Sequence, residues 1–252
     1  MDRTRRQLLA GMSIAGAGAL FVGCRGVGSS ARNEESKKEE VARDNTDQQG
    51  GATVTATEDL MREHGILRRA LLVYRESAIK LRESWSAVAP DILEKTAQLF
   101  RSFGEDYHEK KLEETYIFPA VKKTTGSAAA YADVLTVQHA RGREITDYVL
   151  SVTGAEKIAS GSMTALIGAL ESFVRMYEHH AAIEDTVVFP AWKATMSDPQ
   201  LEEMGDKFEE IEHAQFGEDG FEAAVKRIAG IEESLGIANL DLFTAPPPPA
   251  RG

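Results

Sequence analysis

Residues 178–193, EHHAAIEDTVVFPAWK, set two histidines, His179 and His180, one turn ahead of two acids, Glu184 and Asp185, on an apolar helical run closed by Phe189-Pro190. Imidazole and carboxylate this close together are the raw material of acid–base or metal-ion chemistry. Seventy-one residues upstream the chain reads YHEKKLEETYIFPAVK, and without a gap His108 falls on His179, Glu113 on Glu184, Glu114 on Asp185 and Phe118-Pro119 on Phe189-Pro190. A second echo precedes each copy: REHGILRRAL around His64 resembles VQHARGREIT around His139. The chain therefore reads as a tandem duplication of a two-helix unit. Each half carries a single-histidine segment and then a His-plus-acid segment.

A lone histidine on an apolar face is ordinarily a satisfied core residue. Here all six histidines lie in the helical region, and four predicted helices each supply at least one to the core face. Burying Glu113 and Glu184 as carboxylates costs several kcal/mol unless they are paired or bound to metal. The nearest cations in sequence, Lys110 and Lys111, fall on a separate, solvated face. Imidazole and carboxylate without thiolate suit iron, manganese or zinc, and inward His and Glu from four helices are how bundles build two-metal sites.

Register leaves alternatives open. Residues four apart lie about 40° apart around an α-helix, whereas residues five apart lie about 140° apart. His180 and Glu184 therefore converge. His108 and Glu113 converge only where the winding changes locally, as through a π-bulge. Glu109, four before Glu113, is a second candidate, and His179 is an alternative to His180, which continues the apolar stripe.

These residues need four long helices. In the first, about 57–83, Leu60, His64, Leu67, Leu71, Tyr74, Ala78 and Leu81 share one face, with Thr57 as the expected cap. The second, about 91–122, aligns Leu93, Ala97, Phe100, Gly104 and His108; the third, about 127–152, aligns Leu135, His139, Gly142 and Val149. The fourth, about 161–195, aligns Leu166, Leu170, Phe173, Tyr177, His180, Glu184 and Val187. Short links around Pro90, Gly126 and Gly154 favour antiparallel neighbours, so the expected fold is all-α: an up-and-down four-helix bundle over 57–195. Residues 196–236 supply one or two accessory helices, and 237–252 form a Pro-rich tail. His213 reads as a surface or packing residue, Trp85 and Trp192 as packing, and Met163, Met176, Met196 and Met204 as filler.

The ends are different in kind. Residues 1–23, with Thr4-Arg5-Arg6-Gln7-Leu8-Leu9 and an apolar run to Val22, resemble a bacterial twin-arginine export signal merged with a lipoprotein signal ending at Cys24. Phe21 stands where leucine is usual. The implied location is periplasmic or membrane-anchored outside the cytoplasm, with membrane contact only through the signal or a lipid on Cys24. Residues 25–56 lack large apolar side chains and read as a tether. Formal charge is −11, and removing residues 1–23, which carry Asp2, Arg3, Arg5 and Arg6, leaves 26 basic against 39 acidic groups. Such a balance argues against nucleic acid as a partner. Cys24 is the only cysteine, so no intrachain disulfide forms.

The order His64, then His108 with Glu113 before Phe-Pro, then His139, then His180 with Glu184 before Phe-Pro resembles the hemerythrin-like, or HHE cation-binding, domain. The resemblance spans about residues 57–195. It implies a non-haem di-iron centre bridged by the two carboxylates, with His64 and His108 on one iron and His139 and His180 on the other. Oxygen-carrying hemerythrins have a further histidine one turn after the third-helix ligand, where this chain has Arg143. Three functions are open to such a chain. It could bind O2 or a related small molecule as carrier, sensor or scavenger. It could reduce peroxide, NO or O2, with a redox partner that the sequence does not encode. It could be a metal-stabilised structural bundle.

Overall fold

The computed structural model of the protein describes residues 54–217 and 219–249. The segment read as an export signal, Cys24 and the part of the expected tether before Val54 lie outside the described residues.

Among the described residues six helices carry the fold. Helix α1 is Ala56–Glu83. Its cap is Thr55, two residues before the expected one. The Thr55 hydroxyl accepts from the Glu58 N–H at 3.3 Å and the Glu58 carboxylate accepts from the Thr55 N–H at 2.7 Å, a reciprocal cap that Thr57 could not build with this acid. Helix α2, residues 90–121, begins with Pro90 in its first turn and runs through Pro90–Leu99, Phe100–Ile117 and Phe118–Val121. Helix α3 is Ser127–Thr153, entered through Gly126 at φ 110°, where a side chain would be strained. Helix α4, residues 163–193, comprises Met163–Ile183, Glu184–Val188 and Phe189–Lys193. Helices α5, Asp198–Phe216, and α6, Gly220–Leu235, follow, each closed by a left-handed glycine, Gly217 and Gly236.

Helices α1 to α4 pack in a ring, each against its sequence neighbour and α4 back on α1. The apolar stripes read from the sequence are buried, from Leu60 to Leu81 on α1 and from Leu166 to Tyr177 on α4. Helix α6 lies across α1 and α2, and α5 contacts α1 and the middle of α2. That cover is fastened by Arg69, which grips Glu232 through Nε at 2.8 Å and Nη2 at 2.5 Å, and by Trp192 stacked on Phe208 at 5.7 Å. Trp85, expected to pack, stands in the α1–α2 link and is 56% exposed. No helix among the described residues is long and apolar enough to cross a membrane.

Two stretches are wound as π-helix: Phe100–Ile117 in α2 and Glu184–Val188 in α4. Each ends at a Phe-Pro, where Phe118 N–H donates to Glu113 O and Phe189 N–H to Glu184 O, five residues back. Proline lacks an N–H and its ring crowds the carbonyl four residues earlier, so an ordinary α-turn fails there and a widened one accommodates it. The widening also turns Val188 inward and leaves Val187, expected on the core face, only half-buried.

Candidate metal centre

The site lies where the π-helical turns place their acids. In α2 the wide winding brings residues five apart onto one face, so His108 Nε2 approaches Glu113 Oε1 at 3.3 Å. In α4 the π-turn begins only at Glu184, and ordinary four-residue spacing sets His180 Nε2 3.1 Å from Glu184 Oε1. Hence the gapless repeat slips by one residue between acid and histidine. His180, not His179, is the structural counterpart of His108, and His179 is exposed.

The two glutamates reach across the bundle. Glu113 directs its second oxygen to His139 Nε2 at 3.2 Å, and Glu184 directs its own to His64 Nε2 at 3.5 Å. His139 and His180 bring their Nε2 atoms to 3.1 Å. Each carboxylate therefore spends one oxygen on the His64/His108 side and one on the His139/His180 side. All six of His64, His108, Glu113, His139, His180 and Glu184 are buried, and both oxygens of Glu113, both of Glu184 and Nε2 of His108 lack a hydrogen-bond partner. Orphaned buried polar atoms are rare in folded proteins. Donor separations of 3.1–3.5 Å are those of neighbours around one first-row cation, whose donors sit at about 2.0–2.2 Å. The cluster is thus able to hold metal, and its donor set of imidazole and carboxylate fits.

Outer groups orient every ring. His64 Nδ1 lies 2.7 Å from Asp185 Oδ1, His108 Nδ1 2.6 Å from Glu63 Oε2, His139 Nδ1 2.8 Å from Glu114 Oε1 and His180 Nδ1 2.9 Å from Gln138 Oε1. Because each partner atom is an acceptor, each Nδ1 carries the proton and leaves the Nε2 lone pair facing inward. Arg68 holds Asp185, and Arg143 donates to Glu114 at 2.7 Å; Tyr107 donates to Glu63 at 3.1 Å. The duplication extends to this layer. Glu63 and Gln138 immediately precede His64 and His139, Asp185 and Glu114 immediately follow Glu184 and Glu113, and Arg68 and Arg143 each lie four residues after a single histidine.

The electrostatics follow. Burial alone would lower the basicity of His108, but Glu113 and Glu63 outweigh it and hold the imidazole well above its usual pKa. Burial likewise opposes charge on His139, and Glu109, Glu113 and Glu114 reverse it; for His64 Asp185 and Glu184 do so more weakly. Burial would raise Glu113, yet His108 and His139 hold it well below the carboxylate range. Protons and metal cations compete for one set of inward donors.

Glu109, the alternative ligand, stays out of the centre. Its Oε1 accepts from the Tyr177 hydroxyl at 2.7 Å, its Oε2 lies 3.3 Å from Arg143, and its nearest approach to the site histidines is 3.9 Å from His139 Nδ1. Arg143, in the place of that further histidine, therefore binds the acids Glu109 and Glu114. The Tyr177 hydroxyl reaches Glu109 through a notch left by Gly142: a Cβ there would stand 2.0 Å from it. A small cavity with room for little more than one water-sized particle lies among the donors between α1, α2 and α4, walled by Leu67, Leu71, Phe100, Glu109, Tyr177 and Ala181. Sequence reasoning missed Glu63, Gln138, Arg68 and Tyr177. The signal was present for the first three, since they occupy matching places in the repeat.

The hemerythrin HHE cation-binding domain family model matches residues 55–192. Three mycobacterial proteins, uncharacterized protein Mb2018 of Mycobacterium bovis and uncharacterized proteins MT2051 and Rv1995 of Mycobacterium tuberculosis, are each 45% identical over 192 residues, covering 76% of this chain and 74% of theirs. No solved structure matches the chain.

Proposed function

The chain belongs to the hemerythrin HHE cation-binding domain family, and on that footing we propose that its core binds two non-haem irons and, through them, O2 or a related small molecule. His64 and His108 would hold one iron and His139 and His180 the other, with Glu113 and Glu184 bridging. The observation that carries this reading is the division of each buried carboxylate between the two histidine pairs, with four carboxylate oxygens and no hydrogen-bond partner for any of them. Iron bound there would supply one-electron chemistry and affinity for O2, NO or peroxide. The chain's own part is to orient four imidazoles through their Nδ1 partners and to exclude bulk water with Leu67, Leu71, Phe100 and Ala181.

Two irons held by only four histidines and two acids would have coordination positions to spare, which supports a second reading, reduction of peroxide, NO or O2 at the same site. We also propose that the domain works outside the cytoplasm, on the strength of Thr4–Leu9 and the residues before Cys24. Metal analysis and visible spectra of protein from iron-replete cells, first reduced and then exposed to O2 or NO, test these readings. About two irons per chain with a reversible spectral change is the expected result. Irreversible oxidation with turnover of peroxide or NO would favour the enzyme, and a chain without metal, its melting unmoved by chelators, would overturn the centre.

A further inference from the structure

The structure points to unequal metal positions: we propose that the His64/His108 position holds its cation more tightly than the His139/His180 position, and that Gln138 is the positioning residue that makes the difference. This inference rests on the two-metal reading above.

Among the four groups that back the rings through Nδ1, the duplicated halves match in type except at one. Asp185 with Arg68 backs His64 as Glu114 with Arg143 backs His139, so these contributions are alike on the two sides. Glu63 backs His108 at 2.6 Å, but at the matching place Gln138 backs His180 at 2.9 Å. Both rings of the first pair thus face a carboxylate through Nδ1–H, and only one ring of the second pair does. Tyr107 steadies Glu63 further.

A carboxylate opposite Nδ1–H differs from an amide in two ways. Its charge-assisted hydrogen bond is roughly twice as strong and draws the proton outward, which enriches the inward lone pair. It also adds one negative charge close to the cation, and in a buried site that charge is weakly screened. The second pair has an acid of its own in Glu109, which adds charge near His139 but backs neither ring through an Nδ1–H bond. Glu109 is 3.9 Å from His139 Nδ1 and is shared by Tyr177 and Arg143. Glu178, two residues before His180, is paired with Arg75 at the surface. Exchange of such an outer partner changes metal affinity by about 10–100-fold.

The test is an anaerobic Fe(II) titration of the metal-free full chain, with free metal fixed by a competing chelator, for wild type, Gln138→Glu and Glu63→Gln. A second cation always meets the charge of the first, so the decisive readout is the shift that each variant causes in each step. Gln138→Glu should tighten the second step by about 10–100-fold and leave the first within about threefold. Glu63→Gln should weaken the first step by the same factor and bring the two steps together, with helicity by circular dichroism unchanged. Two steps in Gln138→Glu that both stay within about threefold of wild type, or a gain confined to the first step, would overturn this inference while leaving the two-metal centre intact. Failure of wild type to bind Fe(II) at all would overturn that centre itself.

Discussion

Gly142→Ala tests whether the wall beside the site is built as tightly as its geometry states. An alanine Cβ at 142 would stand 2.0 Å from the Tyr177 hydroxyl, 2.8 Å from Cζ and 2.9 Å from Cε2, all far inside contact distance. The phenol has to withdraw, and it loses the 2.7 Å bond to Glu109, a hydrogen bond to a charged group of the kind that contributes about 1.5–3 kcal/mol. Crowding in a packed interior adds about 1–3 kcal/mol. Against this, alanine within a helix recovers about 0.5–1 kcal/mol relative to glycine. The net expectation is a loss of about 2–5 kcal/mol, or a fall in Tm of about 5–15 °C for a domain of this size. Urea denaturation of wild type, Gly142→Ala, Tyr177→Phe and the double variant measures it. In the Tyr177→Phe background there is no phenolic bond left to break, so Gly142→Ala should cost less there by about 1.5–3 kcal/mol. Costs that add within about 0.5 kcal/mol, or a stabilised Gly142→Ala, would refute the close approach on which this argument depends.

Two further outcomes are expected. Burial pushes the Glu105 carboxyl up to about 7 despite the hydrogen bond from Thr146 and the charge of Arg101, so the native state keeps a proton that the unfolded chain loses near 4.5. Stability should therefore fall as pH rises from about 4.5 to about 7 and level off above, by at most about 3 kcal/mol from this group. Glu105→Gln should remove that part of the slope, and parallel pH profiles of urea midpoints for the two proteins would exclude it. His180→Ala should lower bound metal by about one equivalent, whereas His179→Ala, at an exposed position next to it, should leave metal content unchanged; an equal loss in both would put the wrong histidine in the site.

The fold was legible because apolar spacing was clean. The stripes of α1 and α4 could be read residue by residue, and the histidines fell on them. Boundaries slipped where a local hydrogen bond decided them: Glu58 reaches back to Thr55, so the helix starts before Thr57. Trp85 shows the opposite error, since residue type suggests packing while its place in a short link leaves it exposed. The His108–Glu113 spacing of five signalled a change in winding, and that winding exists as a π-helical stretch far longer than one bulge. Periodicity at 3.6 residues does not forecast its extent, and neither does the Phe-Pro that ends it, since the same dipeptide closes a stretch of only five residues in α4.

The layer outside the ligands was harder to see for a physical reason. A ligand declares itself by being a polar residue on an apolar stripe, whereas Glu63, Gln138, Glu114 and Asp185 neighbour such residues in sequence and sit off the stripe, where acids and amides are ordinary. Only the comparison of the two halves separates them from solvated charges. A pair of arginines four residues after His64 and His139, and a pair of acids after Glu113 and Glu184, are unremarkable singly but improbable as a matched set. By the same comparison Gln138 against Glu63 is the mismatch among the groups that back the rings, and the proposed difference in affinity would arise there without a change of any candidate ligand.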